Sequence, residues 1–289
     1  MTLREVFDKG ICSLRDAGID EYAVNAEILF EYVFSLKKID LFFRKDDFAD
    51  DESTRRYFSL IEKRIKGFPV QLLTETAYFY GLSFWVNENV LIPRFDTEIL
   101  VDYILKHENV ADEKLKFIDM CTGSGCIFIS LLVNSAWKSC AVDISDKALE
   151  VAADNCRRYN ADSRNIFVRS DLFGAFFNNE GLYEDKFDFI VSNPPYIERS
   201  VIPTLAEEVK NHEPVIALDG GEDGLDFYRR IVQQCVFFIK KGARIYFEIG
   251  YNEGYAVKSI LEDSGFENIE IIKDFANLDR CVCAKWSGN

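Results

Sequence analysis

Asn193-Pro194-Pro195-Tyr196 gathers a side-chain amide, two prolines and a phenol into four consecutive positions. The stretch follows Phe187-Asp188-Phe189-Ile190-Val191-Ser192, which reads as a buried strand. Two prolines fix φ and remove two backbone donors, so the strand stops there. What remains is a stiff loop that presents an amide, free carbonyls and an aromatic ring. Those groups suit a planar substrate that carries N–H donors. The same four residues also serve as a plain rigid turn, and so short a motif matches by chance.

A second constellation lies upstream. Phe117-Ile118-Asp119-Met120-Cys121-Thr122-Gly123-Ser124-Gly125-Cys126 reads as strand, glycine turn and helix start. Glycines let a backbone bend tightly and approach a ligand, and Ser124 is placed to cap the following helix. G-x-G-x-x-G is absent, so this is not the dinucleotide fingerprint, and no lysine follows as in a P-loop. Asp143 ends the next strand, where a carboxylate can accept ribose hydroxyls; its plainer use is a helix cap before Lys147. Asp171 ends the third strand and can accept an adenine amine, with Leu172 beside the ring; it too can be a simple turn acid. Together Asp119, Gly123, Gly125, Asp143 and Asp171 fall at the carboxyl ends of successive strands, where open α/β sheets bind ligands. Acids for an adenosine without a phosphate grip fit S-adenosylmethionine.

These residues need a scaffold, and the patterning supplies one. Leu3, Val6, Phe7, Ile11 and Leu14 make one helical face, with Thr2 and Glu5 as a capping box and Gly18 as the stop. Further helices are expected from Asp20, after Asp40 and over Asp51 to Lys66, the last with Tyr57, Ile61 and Ile65 on one stripe. Tyr78 to Val86 reads as a β-hairpin. Beyond it strands are expected at 115–120, 139–142, 165–168, 187–191 and 243–248, separated by helices such as Thr97 to His107, Lys147–Tyr159 and Leu225–Ile239. That alternation predicts a doubly wound parallel sheet. Segments 269–272 and 281–286 lack a helix between them and are expected to pair antiparallel at one edge. The expected division is a helical domain over 1–67, a hairpin linker over 68–92 and a catalytic domain over 93–289.

The formal charge is −15, of which −2 falls in residues 1–66 and −13 beyond. An acidic catalytic region repels phosphate backbones, so a basic protein partner suits it better than DNA. The eight cysteines include no C-x-x-C pair, and the only histidines are His107 and His212. Buried free thiols are therefore expected, with no metal site. Met1 to Glu5 shows no basic-then-apolar signal pattern and no apolar run spans a bilayer, so a cytoplasmic location is expected.

The joint pattern resembles the class I S-adenosylmethionine-dependent methyltransferases and, more narrowly, the release factor glutamine methyltransferases (HemK/PrmC type). The residues that carry the resemblance are Val90 to Glu98, Asp119 to Gly125, Asp143, Asn193 to Tyr196, Glu213-Pro214, Ala217-Leu218, Gly220-Gly221, Glu248 to Gly250 and Asp279-Arg280. Two positions depart: Phe95 stands where the family usually has a second proline, and Cys121 where a glycine is common. The resemblance implies an α/β, Rossmann-like seven-stranded sheet behind an all-α bundle and a hairpin linker. It implies methylation of the glutamine amide nitrogen in a Gly-Gly-Gln tripeptide of a peptide-chain release factor. Asn193, Pro194 and Tyr196 would be catalytic, with Pro195 also against the substrate. Asp119, Cys121, Thr122, Gly123, Ser124, Gly125, Asp143, Asp171, Leu172 and Asn193 would hold the cofactor, whose product is S-adenosylhomocysteine. Two rivals share the loop: methylation of a ribosomal-protein glutamine and of a nucleobase amine, the latter disfavoured by the charge.

Overall fold

The computed structural model describes residues 1–179 and 186–288. They fall into two compact units, Met1–Thr76 with Ala206–His212, and Ala77–Leu205 with the chain from Glu213 onward. The first unit is helical: α1 (Leu3–Asp16), α2 (Tyr22–Phe34), α3 (Lys38–Arg44), α4 (Asp51–Ile65) and α5 (Val70–Thr74). The expected capping box starts α1. Glu5 N–H donates to Thr2 Oγ1 at 3.2 Å and Thr2 N–H donates to Glu5 Oε2 at 2.9 Å. Two N–H groups that a helix start leaves unpaired are thereby satisfied. Leu3, Val6, Phe7 and Leu14 share a core with Leu29, Phe30, Tyr57 and Ile61. Gly10 sits mid-helix because a Cβ there would come within 2.0 Å of the Tyr57 hydroxyl. Ile65, expected on the Tyr57 stripe, is exposed at the end of α4. Residues 206–212 belong to this unit through Glu208, 2.8 Å from Arg64, and His212, whose ring lies 4.1 Å from that of Phe68.

A hairpin of β1 (Thr76–Phe79) and β2 (Leu82–Trp85) leads into the second unit. Its turn residues Tyr80 and Gly81 have φ of 50° and 74°, the left-handed pair that a tight two-residue hairpin turn needs. After α6 (Glu98–His107) come β3 (Lys116–Met120), α7 (Cys126–Val133), β4 (Lys138–Asp143), α8 (Asp146–Arg158), β5 (Asn165–Arg169), β6 (Phe187–Ser192), α9 (Asp226–Cys235), β7 (Ile239–Glu248), α10 (Gly254–Asp263), β8 (Phe266–Lys273) and β9 (Asp279–Trp286). The sheet order is β5-β4-β3-β6-β7-β9-β8. Strands β3 to β7 run parallel, and β9 is antiparallel to β7 and β8. This is the expected Rossmann-like, seven-stranded sheet.

Alternation along β3 feeds two cores, as strand geometry requires. Ile118 and Met120 join Val142, Ile190 and Ile245 on one face, while Phe117 joins Phe189 and Trp137 on the other. The Phe117 and Phe189 rings stack at 4.8 Å. The helix expected over 225–239 ends earlier, at Cys235, and Ile239 already opens β7. Val236-Phe237-Phe238-Ile239 is an apolar run without a period, and such runs do not distinguish a helix end from a strand start. No helix among the described residues is long and apolar enough to cross a membrane.

Candidate active site

The strand order reverses at β3, whose neighbours are β4 on one side and β6 on the other. Outside the carboxyl ends at such a switch point the connections diverge and leave a crevice. The glycine turn leaves β3 there and Asn193-Pro194-Pro195-Tyr196 leaves β6 there, so topology alone brings the two sequence constellations together. Cys121, Thr122, Gly123, Ser124, Asp143, Asp171, Leu172, Asn193 and Pro195 line one cavity of about 210 Å³. Asp119, Gly125, Pro194 and Tyr196 are not among its lining residues.

The glycine turn uses its own backbone donors. Thr122 N–H donates to Val142 O at 3.0 Å and Gly125 N–H to Thr122 O at 2.9 Å. Gly123 N–H donates to Asp143 Oδ2 at 2.9 Å, and Ser145 N–H to Asp143 Oδ1 at 2.9 Å. The helix after the turn is capped by Gly125 without a side-chain bond, so Ser124 does not cap it. Asp143 is not a helix cap either; Ser145 caps α8 by accepting from Ala148 N–H at 3.2 Å. Each Asp143 oxygen takes one backbone donor and keeps capacity for a hydroxyl. Burial pushes its carboxyl above the usual range.

Cys121 has φ of 63°, a left-handed conformation that favours glycine. That conformation accounts for the glycine common at this position in the family. Gly125, at φ 81°, has no room for a side chain: a Cβ would meet Phe128 at 2.6 Å. Asp119 is fully buried behind the turn and accepts from Thr122 Oγ1 at 2.6 Å. Asp171 is engaged with Arg230, both of its oxygens 2.7 Å from Arg230 Nη2. An adenine amine would therefore share this carboxylate with a guanidinium. Leu172 beside it has φ of 49°, so its backbone is held in a strained form.

At the other wall, Asn193 Nδ2 lies 3.4 Å from Thr97 Oγ1 and Tyr196 OH donates to Glu248 Oε1 at 3.3 Å. Gly220 and Gly224 pack directly on the Tyr196 backbone. A Cβ on Gly220 would lie 2.7 Å from Tyr196 Cα, and one on Gly224 2.5 Å from Tyr196 O. Gly220→Ala is expected to lower stability by roughly 1–3 kcal/mol, the usual cost of overpacking, and to lower turnover with it. Thermal denaturation and steady-state rates check this; an unchanged rate would show that the loop does not need this support.

The hairpin is tied to the glycine turn by a residue that the sequence did not single out. Asn155, fully buried on α8, accepts from Trp85 N–H at 2.7 Å and donates to Trp85 O and Ser124 O at 2.9 and 3.0 Å. Arg94 and Glu213, both within the stretches that carry the resemblance, form an ion pair that nothing along the chain foretold. An asparagine inside an amphipathic helix and an arginine after a proline carry no local signal of these partners.

The cavity fits S-adenosylmethionine better than a phosphate-bearing cofactor. Among the described residues its only cationic side chains are Arg94 and Arg230, and both are in ion pairs. The turn donors at Thr122, Gly123 and Gly125 are already used, which leaves less of the turn's backbone to grip a phosphate. Gly123 has φ of 54° and nothing within 4 Å of where its Cβ would stand, leaving backbone open to a ligand.

Comparison with known proteins decides the family. The sequence profile of the PrmC N-terminal domain matches residues 5–74, and that of conserved hypothetical protein 95 matches residues 103–218. The release factor glutamine methyltransferase of Clostridium acetobutylicum is 39% identical over 290 residues, covering 100% of both chains. The chain belongs to the release factor glutamine methyltransferase family. The family enzyme of Bacillus subtilis is 38% identical over 276 residues, 94% of this chain and 93% of its own. Among solved structures, the hMettl16 catalytic domain matches with TM-score 0.56 at 16% identity over 83% of each chain, a likeness of fold alone.

Three carboxyls around this family site are buried, each with hydrogen-bond donors but with burial the larger effect. Burial pushes Asp119, Glu248 and Glu253 each up to about 7. A raised folded-state value means stability that is present below the unfolded value, near pH 4 to 5, and lost as pH rises through about 7. The cofactor-free chain is therefore expected to melt at a higher temperature at pH 5.5 than at pH 8. Melting curves over that range check it, and a flat or opposite trend would contradict the burial of these three charges. Asp223, held down to about 2 by Arg229, titrates too low to affect the window.

Proposed function

We propose that this chain methylates the side-chain amide nitrogen of the glutamine in the Gly-Gly-Gln motif of peptide-chain release factors. The observation that carries the reading is the shared mouth of the glycine turn and the Asn193 loop at one topological switch point, in a chain of this family. When bound, S-adenosylmethionine supplies a sulfonium methyl group that passes to the amide nitrogen and leaves S-adenosylhomocysteine. Asp143 holds the ribose hydroxyls, Cys121 to Gly125 form the cradle, and Leu172 and Asp171 flank the adenine. Asp119 acts from behind, fixing Thr122.

The acceptor amide is a poor nucleophile because its lone pair is delocalised, the resonance behind a rotation barrier of roughly 18–20 kcal/mol. Asn193 Oδ1 and the Pro194 carbonyl accept its two hydrogens and aim the nitrogen, while Tyr196 packs on the amide plane. Two such bonds net about 1–3 kcal/mol together, whereas aligning reactants can contribute roughly 7–11 kcal/mol. Positioning is therefore the larger effect. No side chain is assigned as a general base, and water is the natural proton acceptor after transfer.

Residues 1–67 serve to grip the rest of the factor. Phe42, Phe43 and Phe48 in the helical unit are 76%, 78% and 85% exposed, and apolar exposure of this extent marks interaction surface. Replacing all three with serine is expected to raise KM for full-length factor by roughly tenfold or more, a modest hot-spot loss. It should leave methylation of a short Gly-Gly-Gln peptide unchanged. Equal loss on both substrates would argue against a docking role. The deciding assay for function uses labelled S-adenosylmethionine with a release factor, a ribosomal protein and DNA, followed by mass mapping of the product. Labelling of DNA or of the ribosomal protein alone would overturn the reading.

A further inference from the structure

Phe95 stands at the edge of the cavity without lining it. Pro93, Arg94 and Thr97 line the cavity together with Asn193 and Pro195 of the acceptor loop. Phe95 lies between them in the chain, yet it is 70% exposed. The tight 3₁₀ turn Phe95–Thr97 accounts for this. With three residues per turn, consecutive side chains leave on three different sides. Thr97, 2% exposed, goes inward and lies 3.4 Å from Asn193 Nδ2. Asp96 goes sideways, its Oδ2 3.2 Å from Arg280 Nη2. Phe95 takes the remaining side, toward solvent.

The same arginine fixes the support of a second exposed ring. Arg280 Nη2 is also 3.1 Å from Asp274 Oδ2, in the loop between β8 and β9. That loop is tightly built. Asp274 Oδ1 accepts from Ala276 N–H and Leu278 N–H, both at 2.9 Å, and Asp274 N–H donates to Leu278 O at 2.8 Å. Phe275 at its tip is 91% exposed. Arg280 itself is mostly buried and is anchored beside the acceptor loop. Ile249 N–H donates to its carbonyl at 2.9 Å, and the preceding Glu248 accepts from Tyr196 OH. One guanidinium therefore holds the two acids that neighbour Phe95 and Phe275, next to the loop that receives the acceptor. Apolar residues exposed singly need no explanation. Two rings on rigid supports, continuous with the cavity wall, form a rim with a use.

A glutamine that enters the cavity belongs to a chain, so the residues around it must pass over this rim. The two glycines offer no side chain to it. The first side chains available are those that flank the tripeptide, and a large ring gains most from an apolar one. Resting on the reading of Gly-Gly-Gln as the substrate, we propose that Phe95 is a specificity-determining residue whose ring, with Phe275 across Arg280, seats an apolar side chain next to the tripeptide. The contact holds the substrate segment equally before and during methyl transfer. It therefore acts on KM and leaves kcat alone.

The test compares native full-length release factor with two versions of it, carrying leucine or serine on both sides of Gly-Gly-Gln. The wild-type enzyme should show a KM roughly tenfold lower for the leucine version, the scale of one aromatic hot-spot contact. The two kcat values should agree within about twofold. Phe95→Ala should lose that preference, Phe275→Ala should lose part of it, and Phe95→Trp, which keeps an aromatic ring, should retain it. Because both rings are exposed, every variant should keep its melting temperature and its calorimetric Kd for S-adenosylmethionine. A wild type without the preference overturns the proposal, as does a Phe95→Ala enzyme that keeps it. An unchanged KM beside altered sedimentation of Phe95→Ala makes the ring a contact between copies of this chain, which overturns it too. So does loss of methylation on both altered versions while the native factor is still methylated. A wild type that methylates none of the three removes the assigned substrate itself. Methylation of all three without preference removes only this contact.

Discussion

Asn193→Ala is expected to lower kcat roughly 100-fold to 1000-fold, the range seen when one preorganised hydrogen-bonding group is removed from a reacting centre. The loss should fall on turnover, because the residue's work is to aim a nitrogen and not to hold the factor. KM for full-length release factor should move little, and the melting temperature should stay within a few degrees. Asn193 is only partly buried and, among the described residues, its side chain meets Thr97 at 3.4 Å, so its removal leaves a small defect in the fold. The S-adenosylmethionine Kd, measured by calorimetry, should change less than fivefold, since most of the cradle belongs to β3 and β4. Near wild-type methylation by this variant would refute the assigned role. So would a loss confined to KM.

Asp143→Ala is expected to weaken S-adenosylmethionine binding roughly 100-fold or more. Hydrogen bonds to a charged acceptor net about 1.5–3 kcal/mol each, and the carboxylate is assigned two ribose hydroxyls. The same change leaves Gly123 N–H and Ser145 N–H without their acceptors, each 2.9 Å from an Asp143 oxygen in the wild type. The turn that shapes the cradle therefore loosens as well. Part of the structural loss is offset, because burial already penalises the Asp143 charge and alanine removes that penalty. Asp143→Asn should fall between, keeping an acceptor for one backbone N–H without the charge. Calorimetric Kd values for the three proteins check the order. A Kd within twofold of wild type for alanine would show that the ribose is held elsewhere.

Much of the site could be read along the chain because its parts sit at strand ends with distinctive local chemistry. Glycines at 123 and 125, an acid closing the second strand at 143 and a proline pair at 194–195 each break a regular element in a recognisable way. The capping box at Thr2 and Glu5 and the hairpin over 78–86 were legible for the same reason: their partners lie within a few residues. Failures came where the partner is far away or the pattern has no period. Ser124 looked like a cap, yet the left-handed Gly125 closes the helix start itself. Asp171 gave no sign along the chain of its partner Arg230, 59 residues later, with which an adenine amine would share it. The helix over 225–235 was extended to 239 because a run of apolar residues fits either element.

The sequence by itself determined the alternation of strands and helices, hence the sheet, and the residue types at each strand end, hence the class of cofactor and the amide-reading loop. Local propensity, turn chemistry and hydrophobic period are short-range, so they survive in a one-dimensional reading. The tertiary structure alone decided which side chains stand behind that loop. Tyr196 and Glu248 are 52 residues apart and meet because β6 lies beside β7 in the sheet, while Thr97, beside Asn193, comes from the start of α6. A buried carboxylate acquires its partners and its shifted proton affinity from that packing, and neither is encoded in its neighbours along the chain.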